Sequence, residues 1–328
     1  MRKCFRVGRR CLITLGLLAA GFTGQPAQVA LADPLPDAST TTVVYLPNPD
    51  DPDGEQNGTV IAAPTAEDVN ALAAKRDFAT ATLDFERGLA DDDDVRAAGE
   101  LFGQATGIDV MAQVDGILQN PPPDGDSKKL ALTQHAQIKS YYCGPGTAYT
   151  LLTYLGVSSS AWDGATNVQT VLAMNKYLAT GSDSTPSNQR GTGWSAYTSS
   201  NPMARTLNRY LYGSSSGYFV ADANPGTDYY RDLKFDVDSN VPLALDVLEL
   251  GGSDANGNPN PHLPGHPQNR TIYHWAVGFG YDSGAAHTWV ADPAGQSSAV
   301  SWGANVPQTY TYPSKKIIQL VAPRGVVW

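Results

Sequence analysis

Residues 137–156, QIKSYYCGPGTAYTLLTYLG, constrain the fold more than any other stretch of the chain. A loop runs into Cys143, and beyond Gly144-Pro145-Gly146 the apolar residues Ala148, Leu151, Leu152 and Leu155 recur at helical spacing. That pattern predicts a helix with a single apolar face. Pro145 suits a first turn, where an N–H has no intrahelical partner, and Gly156 suits the stop. Cys143 therefore heads a helix. There the unpaired backbone N–H groups and the positive end of the dipole favour thiolate over thiol. The bland alternative is a structural cysteine acting as a small apolar residue. Helix position alone does not choose between them.

The cysteine count does. Arg2, Lys3, Arg6, Arg9 and Arg10 precede a short apolar run, CLITLGLLAAGF, and Ala30-Leu31-Ala32 offers a small-x-small cleavage site. The run is too short to span a bilayer. The expectation is a secreted protein with a signal peptide over residues 1–32. Cleavage there removes Cys4 and Cys11 and leaves Cys143 alone. With no internal disulfide possible, residues 33–328 must be stabilised by their core. A lone thiol in an oxidising compartment is a liability unless it is used.

The same cleavage takes five of the 22 basic residues and none of the 32 acidic ones, moving the net charge from −10 to −15. A chain this acidic is not expected to bind nucleic acid or anionic lipid, nor to insert stably in a membrane. A monomer is the expected state.

Residues 33–128 read as an N-terminal extension, either an inhibitory propeptide or a packed accessory segment. Residues 33–58 are rich in Pro, Asp, Asn and Thr, with one β-prone patch at Val43-Val44-Tyr45. Thr65 with Asp68 begins a predicted helix over residues 65–89, and a second covers 95–107. Asn120-Pro121-Pro122-Pro123-Asp124-Gly125 marks a linker. Residues 129–328 read as an α+β domain with helices over 166–178 and 202–212. Strands follow over 218–220, 241–250, 272–281, 288–291 and 315–321, and residues 251–270 form a long polar loop.

A thiol nucleophile needs a base, and the base needs an orienting group. His274 lies in IYHWAVGFGYD, where alternation places it on one face with Ala276, Gly278 and Gly280. A hairpin centred near residue 284 puts Asp292 opposite Ala276, one diagonal step from His274 on that face. Gln137, six residues before Cys143, is placed to offer a side-chain amide to a developing oxyanion. His262 and His266 are four apart, but Pro261, Pro264 and Pro267 exclude a helix, so they do not read as a metal pair. Asp254, Asn256 and Asn258 imitate the start of a calcium loop, yet Pro259 and Gly265 stand at positions that such a loop fills otherwise. His135 and His287 read as solvated, Trp275 and Phe279 as core. No cofactor and no metal is expected.

Gln-x5-Cys-Gly-Pro, a later His in an aromatic and small-residue strand, and then Asp-Pro resemble the papain-like cysteine peptidases. Within them the pattern is most similar to the bacterial branch related to the double-glycine leader peptidases, cysteine-peptidase family 39. The separation of Cys143 and His274 fits the ~130–150 residues usual for papain-like enzymes. The resemblance covers residues 130–321. It implies a helical part carrying the Cys helix, packed on an antiparallel sheet carrying His and Asp. It also implies Cys143 as nucleophile, His274 as general base and acid, Asp292 as orienter, Gln137 as oxyanion residue, and a peptide or protein substrate. The chain departs from the family at Gly146, where Ala or another small residue is common, and it shows no transporter domain. Two other functions stay open: thiol acyl chemistry on a non-protein amide such as peptidoglycan, and an inactive papain-like binding protein.

Overall fold

The computed structural model describes residues 42–45, 58–61, 64–119, 127–158, 167–185 and 190–328. The expected signal peptide and the proline linker lie outside the described residues, as does Thr166, the predicted start of the 166–178 helix. β1 (Thr42–Tyr45) pairs antiparallel with β2 (Gly58–Ile61), so the β-prone patch finds a partner.

Three helices follow. α1 (Ala66–Glu86) starts with a reciprocal capping box between Thr65 and Asp68. α2 (Asp92–Thr106) begins three residues before its predicted start. The Asp91 carboxylate caps it by accepting from the amides of Asp93 and Asp94, so the four aspartates 91–94 form a helix start. Gly107 ends it in the left-handed conformation, at φ +73°. α3 (Met111–Gln119) was not predicted. Phe78 of α1 packs edge-on against Phe235 at 5.2 Å and lies 6.1 Å from Phe102 of α2.

The rest is α+β. α4 (Cys143–Tyr154) is the predicted cysteine helix. α5 (Val168–Leu172), capped by Asn167, is shorter than expected. α6 (Pro202–Tyr212) falls where predicted, capped by Asn201 and stopped at Gly213. β4 (Ala221–Asp222) lies just past the predicted strand, and Val220 exchanges backbone hydrogen bonds with Trp328. α7 (Tyr229–Asp238), which carries Phe235, was unforeseen. β5 (Leu243–Glu249), β6 (Ile272–Asp282) and β7 (His287–Ala291) fall where predicted, while β8 (Thr309–Pro313) and β9 (Gly325–Val327) were missed. The sheet runs β4-β9-β5-β6-β7-β8 through antiparallel pairs, with β3 (Lys128–Lys129) added to β6.

One strand prediction is overturned. Residues 315–321 lie in α8 (Ser314–Val321), not in a strand. Ile317, Leu320 and Val321 are buried while Lys315, Lys316 and Gln319 are exposed, a spacing that only a helix satisfies. The β-branched residues misled because packing overrides β-propensity. α4 and α7 pack on β6, and α8 packs on β5, β7 and β8. β6 is therefore buried along nearly its whole length. That is the strand that carries His274.

Candidate active site

Cys143 is the first residue of α4 and is wholly buried. No side chain caps this helix, since Tyr142 stands at the cap without a side-chain bond. The first turn is fitted tightly into its surroundings. A Cβ at Gly144 would sit 2.0 Å from Thr192 Oγ1, and one at Gly146 would sit 2.8 Å from Pro293 Cβ. An alanine at 146 would have to displace Pro293, so the glycine there matches this chain's own packing. Thr192 is itself held, its carbonyl accepting from Trp275 Nε1 at 3.0 Å. The start of α4 is thus wedged between a loop tied to β6 and the Asp292-Pro293 corner.

β6 and β7 pair Tyr281 with Thr288 near the turn, then shift by one residue between Gly278 and Gly280. That bulge leaves Val277 opposite Ala291 as the last pair of the ladder, with Asp292 the next residue after the strand. The turn is offset by half a residue from the predicted centre, and the bulge restores the register at the far end. His274 Nε2 lies 2.8 Å from Asp292 Oδ1. An ionised carboxylate only accepts, so this nitrogen carries a proton.

Gln137 sits beside the same corner. Its backbone N–H donates to Pro293 O at 2.7 Å, and Ser297 Oγ donates to its carbonyl. Gln134 Nε2 donates to Asp292 O at 2.7 Å. The Gln137 amide donates to the carbonyls of Lys139 and Ser140 at 2.9 and 2.8 Å. Both amide hydrogens therefore brace the loop that delivers Cys143.

The unforeseen part of the site is His266. The long loop after β5 returns it to the sheet, where its side chain is fully buried. His266 Nε2 lies 3.0 Å from Asp292 Oδ2, on the opposite side of the carboxylate from His274. Its Nδ1 lies 2.9 Å from Glu249 Oε1 in an ion pair that lacks hydrogen-bond alignment. Tyr310 Oη donates to Asp292 Oδ2 at 2.8 Å, and the Ala294 N–H donates to Oδ1 at 2.8 Å. Burial alone would raise the Asp292 carboxyl, but the charges of His274 and His266 hold it well below the ordinary carboxylate range. Burial likewise pushes the His266 imidazole down, and Glu249 and Asp292 together reverse this and lift it to about 9. His266 is thus an imidazolium at neutral pH.

The ligand atoms of His266, His274 and Asp292 lie within 4.8 Å of one another, a grouping that a metal ion can use. Here both imidazoles donate to the carboxylate, and a charged His266 has no lone pair to give. The other histidines lie apart from this group. His262 bonds the carbonyls of Asn260 and Arg270 at 3.2 Å each. His287 pairs with Asp282 at 3.0 Å and is half exposed. His135, read as solvated, is half-buried and stacks on Tyr149 at 3.9 Å. Asp254 accepts from the amides of Asn256 and Asn258 in an exposed turn. Trp275 and Phe279 are core, as expected.

Sequence reasoning missed His266, Glu249 and Tyr310 as parts of the site. One signal was available: Glu249 lies within the apolar run LALDVLEL, and a carboxylate buried in a strand demands a partner.

A helix-headed cysteine, a strand-borne histidine bonded to an aspartate, and an antiparallel sheet flanked by helices are features of a papain-like cysteine peptidase. The model of the Peptidase_C39 like family matches residues 129–312, and the chain belongs to that family. No curated protein and no solved structure matches the chain. Among the described residues no helix is long and apolar enough to cross a membrane.

Proposed function

We propose that this protein is a secreted cysteine peptidase that hydrolyses peptide or related amide bonds. The bond from His274 to Asp292, set beside the glycine-fitted start of the Cys143 helix, carries the reading. Asp292 engages Nε2, so Nδ1 is the nitrogen that takes the Cys143 proton and later delivers it to the leaving amine. The thiolate attacks the amide carbon, the amine departs, and water hydrolyses the thioester with His274 as base. Backbone N–H groups at the start of α4 face the developing oxyanion, and Gln137 joins them when one amide hydrogen turns from a loop carbonyl to the substrate. The helices α1 to α3 of the N-terminal extension act as a packed accessory segment. Arg76 of α1 meets Asp222, and Lys234 of α7 meets Glu86 at the end of α1 at 3.1 Å, which supports that choice over a detachable propeptide.

The test is turnover of a fluorogenic peptide panel by the wild type, Cys143→Ala and Gln137→Ala, all expressed from residue 33. Cys143→Ala should fold and lose all turnover; retained activity would end the peptidase reading. Gln137→Ala should lower kcat by ~10²–10³ with KM little changed, as loss of one oxyanion donor does. A fall in the rate of Cys143 alkylation by the same factor would instead assign Gln137 to the loop alone.

A further inference from the structure

The proposed chemistry uses both nitrogens of His274 but only one edge of the Asp292 carboxylate. The other edge is occupied just as completely. His266 reaches Asp292 Oδ2 from a loop with no regular structure of its own, so something must fix that loop. Gly265 provides one anchor: at φ +83°, its backbone lies so close to Asn305 that an added Cβ would sit 2.3 Å from the Asn305 carbonyl oxygen. Trp302 provides another, its ring 4.4 Å from the imidazole. A residue delivered this tightly, with no surface exposure and its second nitrogen against a buried Glu249, is not a solvated loop histidine.

We propose that His266 is a positioning residue of the active site: its buried positive charge, held by Glu249, clamps Asp292 toward His274 and sets the pH range of the Cys143–His274 pair. The inference rests on the Cys-His-Asp reading above. Its geometric half follows from the carboxylate. With Oδ2 held by His266 and Tyr310, rotation of Asp292 would break two hydrogen bonds, so Oδ1 stays on His274.

The electrostatic half follows from the surrounding charges. Glu249 from β5, His274 from β6, Asp292 after β7 and Tyr310 from β8 face His266, and Tyr312 of β8 lies near enough to feel Glu249. Burial, then the charges of Asp292 and Glu249, raises the Tyr310 hydroxyl well above its ordinary range, so it stays a neutral donor. Without His266 the pocket would hold two carboxylates and one imidazolium when the thiolate forms. An added cation 5.0 Å from the His274 ring makes the thiolate, the third anion, easier to form. His266 should therefore lower the pH at which the Cys143 thiolate appears, and keep His274 from holding its proton too long for thioester hydrolysis.

Iodoacetamide alkylation of Cys143 reads this directly, because it reports thiolate without needing turnover. In His266→Gln, which keeps an amide donor toward Asp292 but loses the charge, the acid limb should move up by about one pH unit or more. Glu249→Gln should move it down, since it removes an anion while, in the acid range of that limb, the charge and hydrogen bond of Asp292 keep His266 protonated. The double variant His266→Gln/Glu249→Gln, with one charge of each sign removed, should return most of the way to the wild-type profile. A histidine that merely fills space would give shifts of no fixed sign and no such compensation. Unchanged limbs in both single variants would overturn the inference. So would limbs that move the same way in both. If His266→Gln does not fold, Glu249→Gln alone decides by the direction of its shift. Wild-type protein without peptide turnover but with these opposed shifts would sink the peptidase reading and leave the charge clamp standing.

Discussion

Two groups of charged side chains are sealed inside this molecule, and they are built in opposite ways. In the first, Asp292 accepts four hydrogen bonds, two on each oxygen, and its charge is held far into the acid range. In the second, Lys75 of α1 meets Asp236 of α7 at 3.3 Å, with Asp232 nearby. Lys75 Nζ, Asp236 Oδ2 and Asp232 Oδ2 have no hydrogen-bond partner among the described residues. Lys75 rests instead on aromatic faces, 3.8 Å from the Tyr218 ring and 4.5 Å from the Trp328 ring. Burial pushes Lys75 down to about 8 and Asp236 up to about 6, each against the pull of its partner. Asp292, satisfied on both oxygens, keeps its charge at any working pH, whereas the unsatisfied Lys75–Asp236 pair is poised to give its charges up. The first lies inside the family match. The second joins α1, outside that match, to α7 within it.

The largest expected effect breaks the satisfied cluster at its centre. Asp292→Asn keeps the shape but offers His274 and His266 one acceptor oxygen where there were two, and it removes the charge that both face. In the Ser-His-Asp triad of the serine proteases the corresponding Asp→Asn change costs about 10⁴ in kcat by stabilising the wrong tautomer. A fall of ~10³–10⁴ in kcat, with a cooperative melting transition retained, is the expected outcome here. A loss under about tenfold would mean that His274 is oriented by something other than Asp292, and the contrast between the two clusters would lose its functional meaning.

The contrast also separates what was legible in the sequence from what was not. Cys143, His274, Asp292 and Gln137 could be named because each leaves a local mark: a helix start, an alternating strand, an Asp-Pro after a strand, a Gln at fixed spacing. Thr65 with Asp68 gave away a helix start for the same reason, as caps are chemistry between neighbours in sequence. His266 left no such mark. It is 26 residues from Asp292 and comes to it only through a loop whose path depends on Asn305 and Trp302. Lys75 left no mark either, since only the distant rings of Tyr218 and Trp328 explain its burial. α7 and α8 were missed or misread because their burial, not their propensity, selects the helix.

The last prediction sharpens the contrast from the other side. Lys75→Met leaves Asp236 buried without its cation and should lower stability by ~3–5 kcal/mol, with kcat per folded molecule unchanged. Adding Asp236→Asn, which keeps an acceptor for the Tyr218 hydroxyl at 3.0 Å, should recover all of that loss and leave the double variant somewhat more stable than wild type near neutral pH. The pH dependence of the double variant is the finer test. Asp236 is raised from 3.8 to about 6, so its contribution to stability is present below pH 3.8 and lost as the pH rises through 6. Lys75 is lowered from 10.5 to about 8, so its contribution is present above pH 10.5 and lost as the pH falls through 8. Between those limits the wild type carries both charges at their full burial cost, and the double variant carries neither. Its melting temperature relative to wild type should therefore peak between about pH 6 and 8, by on the order of 5 °C, and shrink toward both acid and alkaline pH. A difference that is flat across this range, or smallest near neutrality, would show that the Lys75–Asp236 pair is as well satisfied as Asp292.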